Sequence, residues 1–394
     1  MTRKEPTVEE LVGGLASLAT SLCCIRTLEL YVDALDFGLF QGFFAALRTA
    51  SPSFKKLSIS ASLVVGEAHE THLEQTQTSI AGISGLTHFS WYSDDYYENP
   101  IIASVEGQLM KGCPQLQHMS LHFGYDPRIL DDYPPAASSR LWEGHWPALK
   151  WLQLDRVSTS EHTGAFLDEH VNIETLCLNR DSYPWQELPF QLPETALPKL
   201  RQVWWPFKQG TSTLLTLLRP LPDGSRRPIE VLSQITVTTY DNLDPTITTH
   251  QSDGFLSDAQ FEELCTSLSQ MPTLRVLGIE NQRASGIAKL AQLASMAPSV
   301  EELMIRLRAW PGDETLLGMS EAISNLPRLR SLHLLGVDPW IEHQWIQAAG
   351  IFSAASPELV HFSGFDRKGE DWARPKRNGC AVCNEAWPLT LDEY

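Results

Sequence analysis

The sequence predicts an α/β solenoid: a horseshoe with a concave parallel β-sheet and irregular helices and loops on the convex side. Three observations predict it. The phrase "LPRLRSLHL" (326–334) stands earlier as "MPTLRVLGI" (271–279) and "LPKLRQVWW" (197–205), each with apolar residues at offsets zero, three and five. The same frame begins at Ile25, Phe54, Leu86, Leu116, Leu149, Ile173, Leu200, Leu232, Leu274, Val300, Leu329 and Leu359, at intervals of 24 to 42 residues. Self-similarity of that period marks a stacked-repeat architecture. Finally, Pro52, Pro114, Pro147, Pro198, Pro272, Pro298, Pro327 and Pro357 each stand two residues before an anchor. Proline fixes φ and cannot extend a preceding helix, so it separates a helix end from a strand start.

Taken in order, "TVEELVGGLASLATSLCC" (7–24) reads as an N-terminal cap helix within residues 1–24. Thr7 and Glu10 have capping-box spacing, and Val8, Leu11, Leu15 and Leu22 share one face. Residues 25–366 then form one solenoid of about twelve irregular repeats. Each anchor predicts a short strand beginning two residues later: 27–30, 56–59, 88–91, 118–121, 151–154, 175–178, 202–205, 234–237, 276–279, 302–305, 331–334 and 361–363. Offsets three and five point inward and the residues between them outward, so Leu154, Leu178, Leu277 and Leu332 belong to the core. Between strands, 257–271 reads as a helix capped by Ser257, with Phe261, Leu264 and Leu268 on one face. Residues 313–326 repeat that pattern with Leu316, Leu317, Met319, Ile323 and Leu326. By contrast, 179–198 holds four prolines and should run extended or looped. Residues 367–394 are expected to be a C-terminal tail, its "RKGEDWARPKR" (367–377) a solvated stretch of mixed charge.

These anchors and their spacing resemble a leucine-rich-repeat protein, and in particular the irregular repeat domains of F-box proteins from filamentous fungi. The resemblance covers roughly residues 20–366. Two departures accompany it. Such repeats carry Asn or Cys eight residues after the anchor, whereas here those positions include Asp33, Asp94 and Asp181 but also Gly124, Val157 and Val337. An F-box opens on a Leu-Pro-x-Glu-Ile type phrase and docks on a ubiquitin-ligase core. The segment before the first anchor contains no such phrase, so no docking residue is assigned.

Composition narrows the function classes. The chain has 394 residues, 30 basic against 48 acidic, for a net charge of −18. Such a field repels phosphate backbones and anionic lipid, which disfavours nucleic-acid and membrane partners. Seven scattered cysteines imply no disulfide framework. The apolar stretch 11–25 has Glu5, Glu9 and Glu10 where a signal peptide needs positive charge. Cytoplasm or nucleus is the expected compartment.

Catalytic and metal motifs are sparse. "HETH" (69–72) is one residue short of H-E-x-x-H, and Cys380 and Cys383 form a C-x-x-C without a second ligand pair nearby. "GISG" (82–85) lacks the frame of a nucleophile elbow. No catalytic residue, metal ligand or cofactor is expected.

The sheet carries the most informative pattern. Offsets two, four and six place His88, Tyr92, His118, His122, Trp151 and Trp204 on the concave face. Neighbouring parallel strands lie about 4.8 Å apart, so His88 and His118 should stand side by side. A contiguous aromatic and imidazole patch of this kind suits a protein interface. Wide rings covering irregular repeats would give the same pattern. A second candidate surface is the long polar insertion 238–254.

The leading reading is therefore a non-catalytic scaffold that binds a protein or peptide on its concave sheet, with Trp151 and Trp204 partly exposed. The resemblance implies an alternative, a substrate-recognition subunit of an F-box type ubiquitin ligase. A third reading is an enzyme or small-molecule receptor using the His/Trp patch.

Overall fold

The computed structural model describes residues 8–33, 40, 42–62, 79–80, 82–93, 99–123, 140–155, 160–179, 190–205, 211–236, 256–280, 287–307, 311–335, 342–363, 365–368 and 371–373. The chain forms two compact units, residues 1–273 and 274–394. Both are α/β solenoids in which strand order follows chain order.

In the first unit the strands are β1 (Thr27–Asp33), β2 (Lys56–Ser62), β3 (His88–Ser93), β4 (His118–Phe123), β5 (Trp151–Asp155), β6 (Thr175–Asn179), β7 (Gln202–Trp204) and β8 (Val231–Thr236). Each pairs in parallel with the next. The prolines explain how each strand is launched. Cys113 O accepts from Leu116 N at 3.1 Å, Trp146 O from Leu149 N at 2.9 Å and Leu197 O from Leu200 N at 3.2 Å. Pro114, Pro147 and Pro198 hold the second position of these turns, where a φ near −65° is required.

A second device joins the repeats. The carbonyl one residue after each anchor accepts two backbone N–H groups from the following repeat. Lys55 and Lys56 donate to Arg26, Thr87 and His88 to Lys55, Gln117 and His118 to Thr87, and Lys150 and Trp151 to Gln117. This fork recurs at every junction up to β8 and fixes the register. It aligns the inward rows. Leu57, Phe89, Met119, Leu152, Leu176, Val203 and Leu232 form one buried row; Ile59, Trp91, Leu121, Leu154 and Leu178 form the next.

The helices cover that core. α1 (Val8–Ser21) packs on α2 (Phe43–Ala50), followed by α3 (Asn99–Gly112), a 3-10 turn (Arg140–Glu143), α4 (Thr163–Glu169), α5 (Thr211–Leu218) and α6 (Asp258–Ser269). α6 begins where its sequence dictates. Ser257 Oγ accepts from Gln260 N, while the Gln260 side chain accepts from Ser257 N, and Phe261, Leu264 and Leu268 are buried. Residues 190–200 contain no helix, in line with their prolines. Behind them Arg227, only 2% exposed, joins the 194–196 turn to the C-terminal end of α5 through backbone carbonyls.

The second unit contains β9 (Val276–Glu280), α7 (Ile287–Met296), β10 (Glu302–Arg306), α8 (Asp313–Ile323), β11 (Ser331–Leu335), α9 (Glu342–Ala355) and β12 (His361–Phe362). β9 to β12 are parallel, and Leu277 and Leu332 are fully buried. β13 (Phe365–Lys368) and β14 (Asp371–Ala373) then continue the sheet antiparallel.

Three sequence expectations need correction. The eighth repeat is anchored at Ile229, not Leu232. Val203 pairs with Leu232, and the fork at this junction comes from Glu230 and Val231. Its strand therefore starts at Val231 rather than 234. Gln234 breaks the apolar frame from Ile229, whereas Leu232, Ile235 and Val237 satisfy it out of register. Leu317 is 53% exposed, because α8 turns Leu316, Met319, Ser320, Ala322 and Ile323 inward and leaves Leu317 on the other face. Part of the expected tail is structured: Arg367, Lys368 and residues 371–373 lie in the β13–β14 hairpin. There the chain doubles back at Ser363, whose Oγ accepts from Leu334 N, and pairs with the two-residue edge strand β12.

Thr7, HETH (69–72), Cys380, Cys383, the 238–254 insertion and positions 94, 124, 157, 181 and 337 lie outside the described residues. Among the described residues no helix is long and apolar enough to cross a membrane.

Candidate functional site

Alternation along a strand puts three rows on the outward face of the first unit's sheet. The first row runs Lys56, His88, His118, Trp151, Thr175 and Gln202. The middle row runs Ser58, Ser90, Ser120, Gln153, Cys177, Trp204 and Ser233. The third runs Tyr31, Ser60, Tyr92, His122 and Asp155. All six predicted residues fall on this face, in register.

Five of them form two stacks. His88 and His118 lie with ring centroids 5.6 Å apart and planes 16° from parallel; His118 and Trp151 follow at 5.1 Å and 17°. On the third row Tyr92 stacks on His122 at 4.3 Å and 12°. The strand spacing enforces both. Rings on directly opposed residues of parallel strands stand one strand apart, and that separation suits offset stacking.

Trp204 differs from the expectation. It is 1% exposed, in a row position flanked by Cys177 and Ser233, both buried as well. These small neighbours leave room for the indole to bed against the sheet, and Trp151 tilts toward it at 6.3 Å and 41°. Trp151 itself is half-buried. Its Nε1, like that of Trp204, is enclosed without a hydrogen-bond partner among the described residues. An enclosed N–H of this kind costs about 1–3 kcal/mol.

The electrostatics leave both imidazoles of the first row neutral near pH 7, beside the charged Lys56. Burial, then the positive charges of His88 and Lys56, pushes His118 down to about 4. His88 is lowered too, by burial and by Lys56 beside it. Thr87 Oγ1 lies 2.9 Å from His88 Nδ1 and holds that ring in place. Cys177 is buried, and burial followed by the Asp155 charge pushes its thiol up, so it is no nucleophile at neutral pH.

The same offsets reach residues that ring-counting missed. Tyr31, at offset six of the first repeat, is 85% exposed. Asp155, at offset six of the fifth, is 2% exposed and pairs with His122 Nδ1. Such a pair is the orienting half of a general-base dyad.

In the second unit, offsets two and four bring Glu302 and His333 to 3.5 Å, with His361 on the next strand of the same face. Burial pushes the Glu302 carboxyl up, countered by the His361 charge. Burial and His361 push His333 down to about 4. No group of three or more His, Cys, Asp or Glu able to hold a metal occurs among the described residues.

The proline-turned strands, the shared carbonyl forks and the inward apolar rows define a leucine-rich-repeat-like α/β solenoid. No family model matches the chain, and no curated protein matches it. Among solved structures it is similar to a chain of the yeast Rad7 and Elc1 complex. That match has 13% identity and a TM-score of 0.37, over 91% of this chain and 83% of the other.

Proposed function

We propose that the chain is a non-catalytic protein-recognition scaffold whose partner, a protein or peptide, binds the outward sheet face of the first unit. The observation that carries this reading is the pair of stacks, His88–His118–Trp151 and Tyr92–His122, on adjacent strands. These rings are held by hydrogen-bonded strands and by their own stacking, so binding costs them little conformational entropy. Tyr92 and the strongly exposed Tyr31 extend the surface toward solvent. Trp204 supports the face from beneath. A soluble compartment, cytoplasm or nucleus, fits the acidic composition.

The resemblance to F-box repeat domains supplies a finer version, in which the captured protein is presented to a ubiquitin-ligase core. Co-precipitation of that core with the full chain tests this version separately. The test of the main reading is the Tyr92→Ala, Trp151→Ala double variant, compared with wild type in partner capture after folding is verified. Loss of the partner supports the reading. Capture at the wild-type level by the folded variant overturns it.

A further inference from the structure

A cleft of about 430 Å³ opens at the turn edge of the first to third repeats, lined by Arg48, Lys55, Ser84, Gly85, Thr87, Lys111, Gly112, Pro114 and Gln115. Three of these residues are cationic and none is acidic, in a chain whose net charge is −18.

The cations converge by construction. The Arg48 guanidinium donates to Ser84 Oγ and lies 3.1 Å from where a Cβ on Gly85 would stand. Lys55 Nζ donates to Gly85 O at 3.2 Å, so both cations meet at one residue. Gly85 has φ +69° and donates its N–H to Gly112 O at 2.7 Å, which brings the end of α3 and Lys111 to the same place. Glycine is required at 85 twice over, by its left-handed backbone and by the guanidinium lying across it.

Helix ends account for part of this. Arg48 and Lys111 stand in the last turns of α2 and α3, where the dipole favours cations. The dipole does not explain why a third cation joins them. Elsewhere on this edge cations meet acids: Lys150 lies 3.7 Å from Glu174, Arg201 pairs with Glu230, and Arg219 lies 2.6 Å from Glu263. Arg48, Lys55 and Lys111 have no such partner among the described residues. Like charges gathered without a counter-charge repel, and an anion between them converts that repulsion into attraction.

We infer that this cleft binds a phosphate monoester. Arg48 offers a planar fork for two phosphate oxygens, Lys55 and Lys111 offer point charges, and the Gln115 amide offers a neutral donor. A phosphate monoester carries nearly two negative charges at neutral pH, matching a site of three cations. Among the described residues the cleft has no aromatic lining on which a nucleobase could stack, and its volume exceeds what a bare ion fills. These features favour a phosphorylated side chain with its flanking peptide over a nucleotide. Thr87 borders both this cleft and His88, yet neither reading requires the other.

The test is calorimetric titration of the full chain with three probes: N-acetyl-phosphoserine methylamide, its unphosphorylated counterpart, and inorganic phosphate, each against sodium chloride of matched ionic strength. The phosphoserine amide should bind and be competed by inorganic phosphate, the serine amide should not, and affinity should fall as salt rises. Arg48→Gln and Lys111→Gln should each weaken phosphoserine binding about tenfold or more, in line with loss of a charge-assisted bond. Lys150→Gln, on the same edge but outside the cleft, should leave it unchanged. Lys111 is exposed, so its variant tests binding without endangering the fold. Inorganic phosphate binding as tightly as the amide would keep the oxyanion site and assign it to the free ion. Equal heats for phosphate and chloride, or equal affinity in wild type and Lys111→Gln, would overturn the inference.

Discussion

Replacing Arg227 by methionine should destabilise the first unit by about 3–5 kcal/mol. Arg227 is 2% exposed and donates to five backbone carbonyls, those of Glu194, Ala196, Thr216, Leu217 and Arg219. Its Nε and Nη2 reach Ala196 O at 3.0 and 2.7 Å, and Nη2 also reaches Glu194 O at 2.6 Å. Nη1 reaches Leu217 O at 3.0 Å and Arg219 O at 3.1 Å, which are among the carbonyls left unpaired where α5 ends. Burial pushes its pKa down only to about 10, with the Glu194 charge working against the shift, so the side chain is charged at neutral pH. Methionine relieves the several kcal/mol spent in burying a guanidinium. It also takes the donor from five carbonyls, of which those of Ala196 and Leu217 are in buried bonds, at about 1–3 kcal/mol for each one left enclosed, and the second effect exceeds the first. Lysine keeps the charge but has one compact donor centre, which cannot span the 194–196 turn and the helix end together, so Arg227→Lys should lose about 2–3 kcal/mol. Urea denaturation followed by circular dichroism gives the difference, and hydrogen exchange of the α5 amides shows whether the loss is local. A loss below about 1 kcal/mol for methionine, or none for lysine, would refute the reasoning.

Two further outcomes follow from burial and titration. Leu277→Ala and Leu332→Ala remove fully buried side chains from β9 and β11, each paired with Leu303 of β10 between them, and each should cost about 2–5 kcal/mol by chemical denaturation. A change below about half a kilocalorie at either would place the register wrongly. Acid should weaken the fold through His118, which titrates near 4 when folded and near its ordinary value of about 6.5 when unfolded. Between those values the unfolded chain binds the extra proton, so stability is complete above about pH 6.5 and is lost as pH falls toward 4. His333 acts in the same direction, while Glu302, raised by burial, takes its proton first in the folded state and acts oppositely. Melting temperatures from pH 7.5 to 4.5 should fall less steeply for His118→Leu than for wild type; parallel curves would count against a buried neutral imidazole.

Much of this architecture was legible because the repeat states its own register. Pro114, Pro147 and Pro198 announce turns that the backbone forms, and Ser257 announces the start of α6. The six face residues follow from offsets alone, since a pleated strand alternates. The rest depended on neighbours. Gln234 hid the Ile229 anchor, as an apolar frame cannot recognise a repeat that ends on a polar residue. The burial of Trp204 depends on how small Cys177 and Ser233 are, which becomes visible only when three strands lie side by side. Arg227 and the Arg48–Lys55–Lys111 cleft look like scattered charges until turns distant in sequence are brought together.

The ring face is tested most directly by the affinity of a captured partner for wild type, Tyr92→Ala/Trp151→Ala, and a Leu317→Ala control. Leu317 is exposed on helix α8 of the other unit, so its change should leave binding as it was. If His88–His118–Trp151 and Tyr92–His122 form the recognition surface, the double variant should lose about 2 kcal/mol or more, roughly thirtyfold in Kd or greater, with folding intact. An unchanged Kd in the folded double variant would contradict the account.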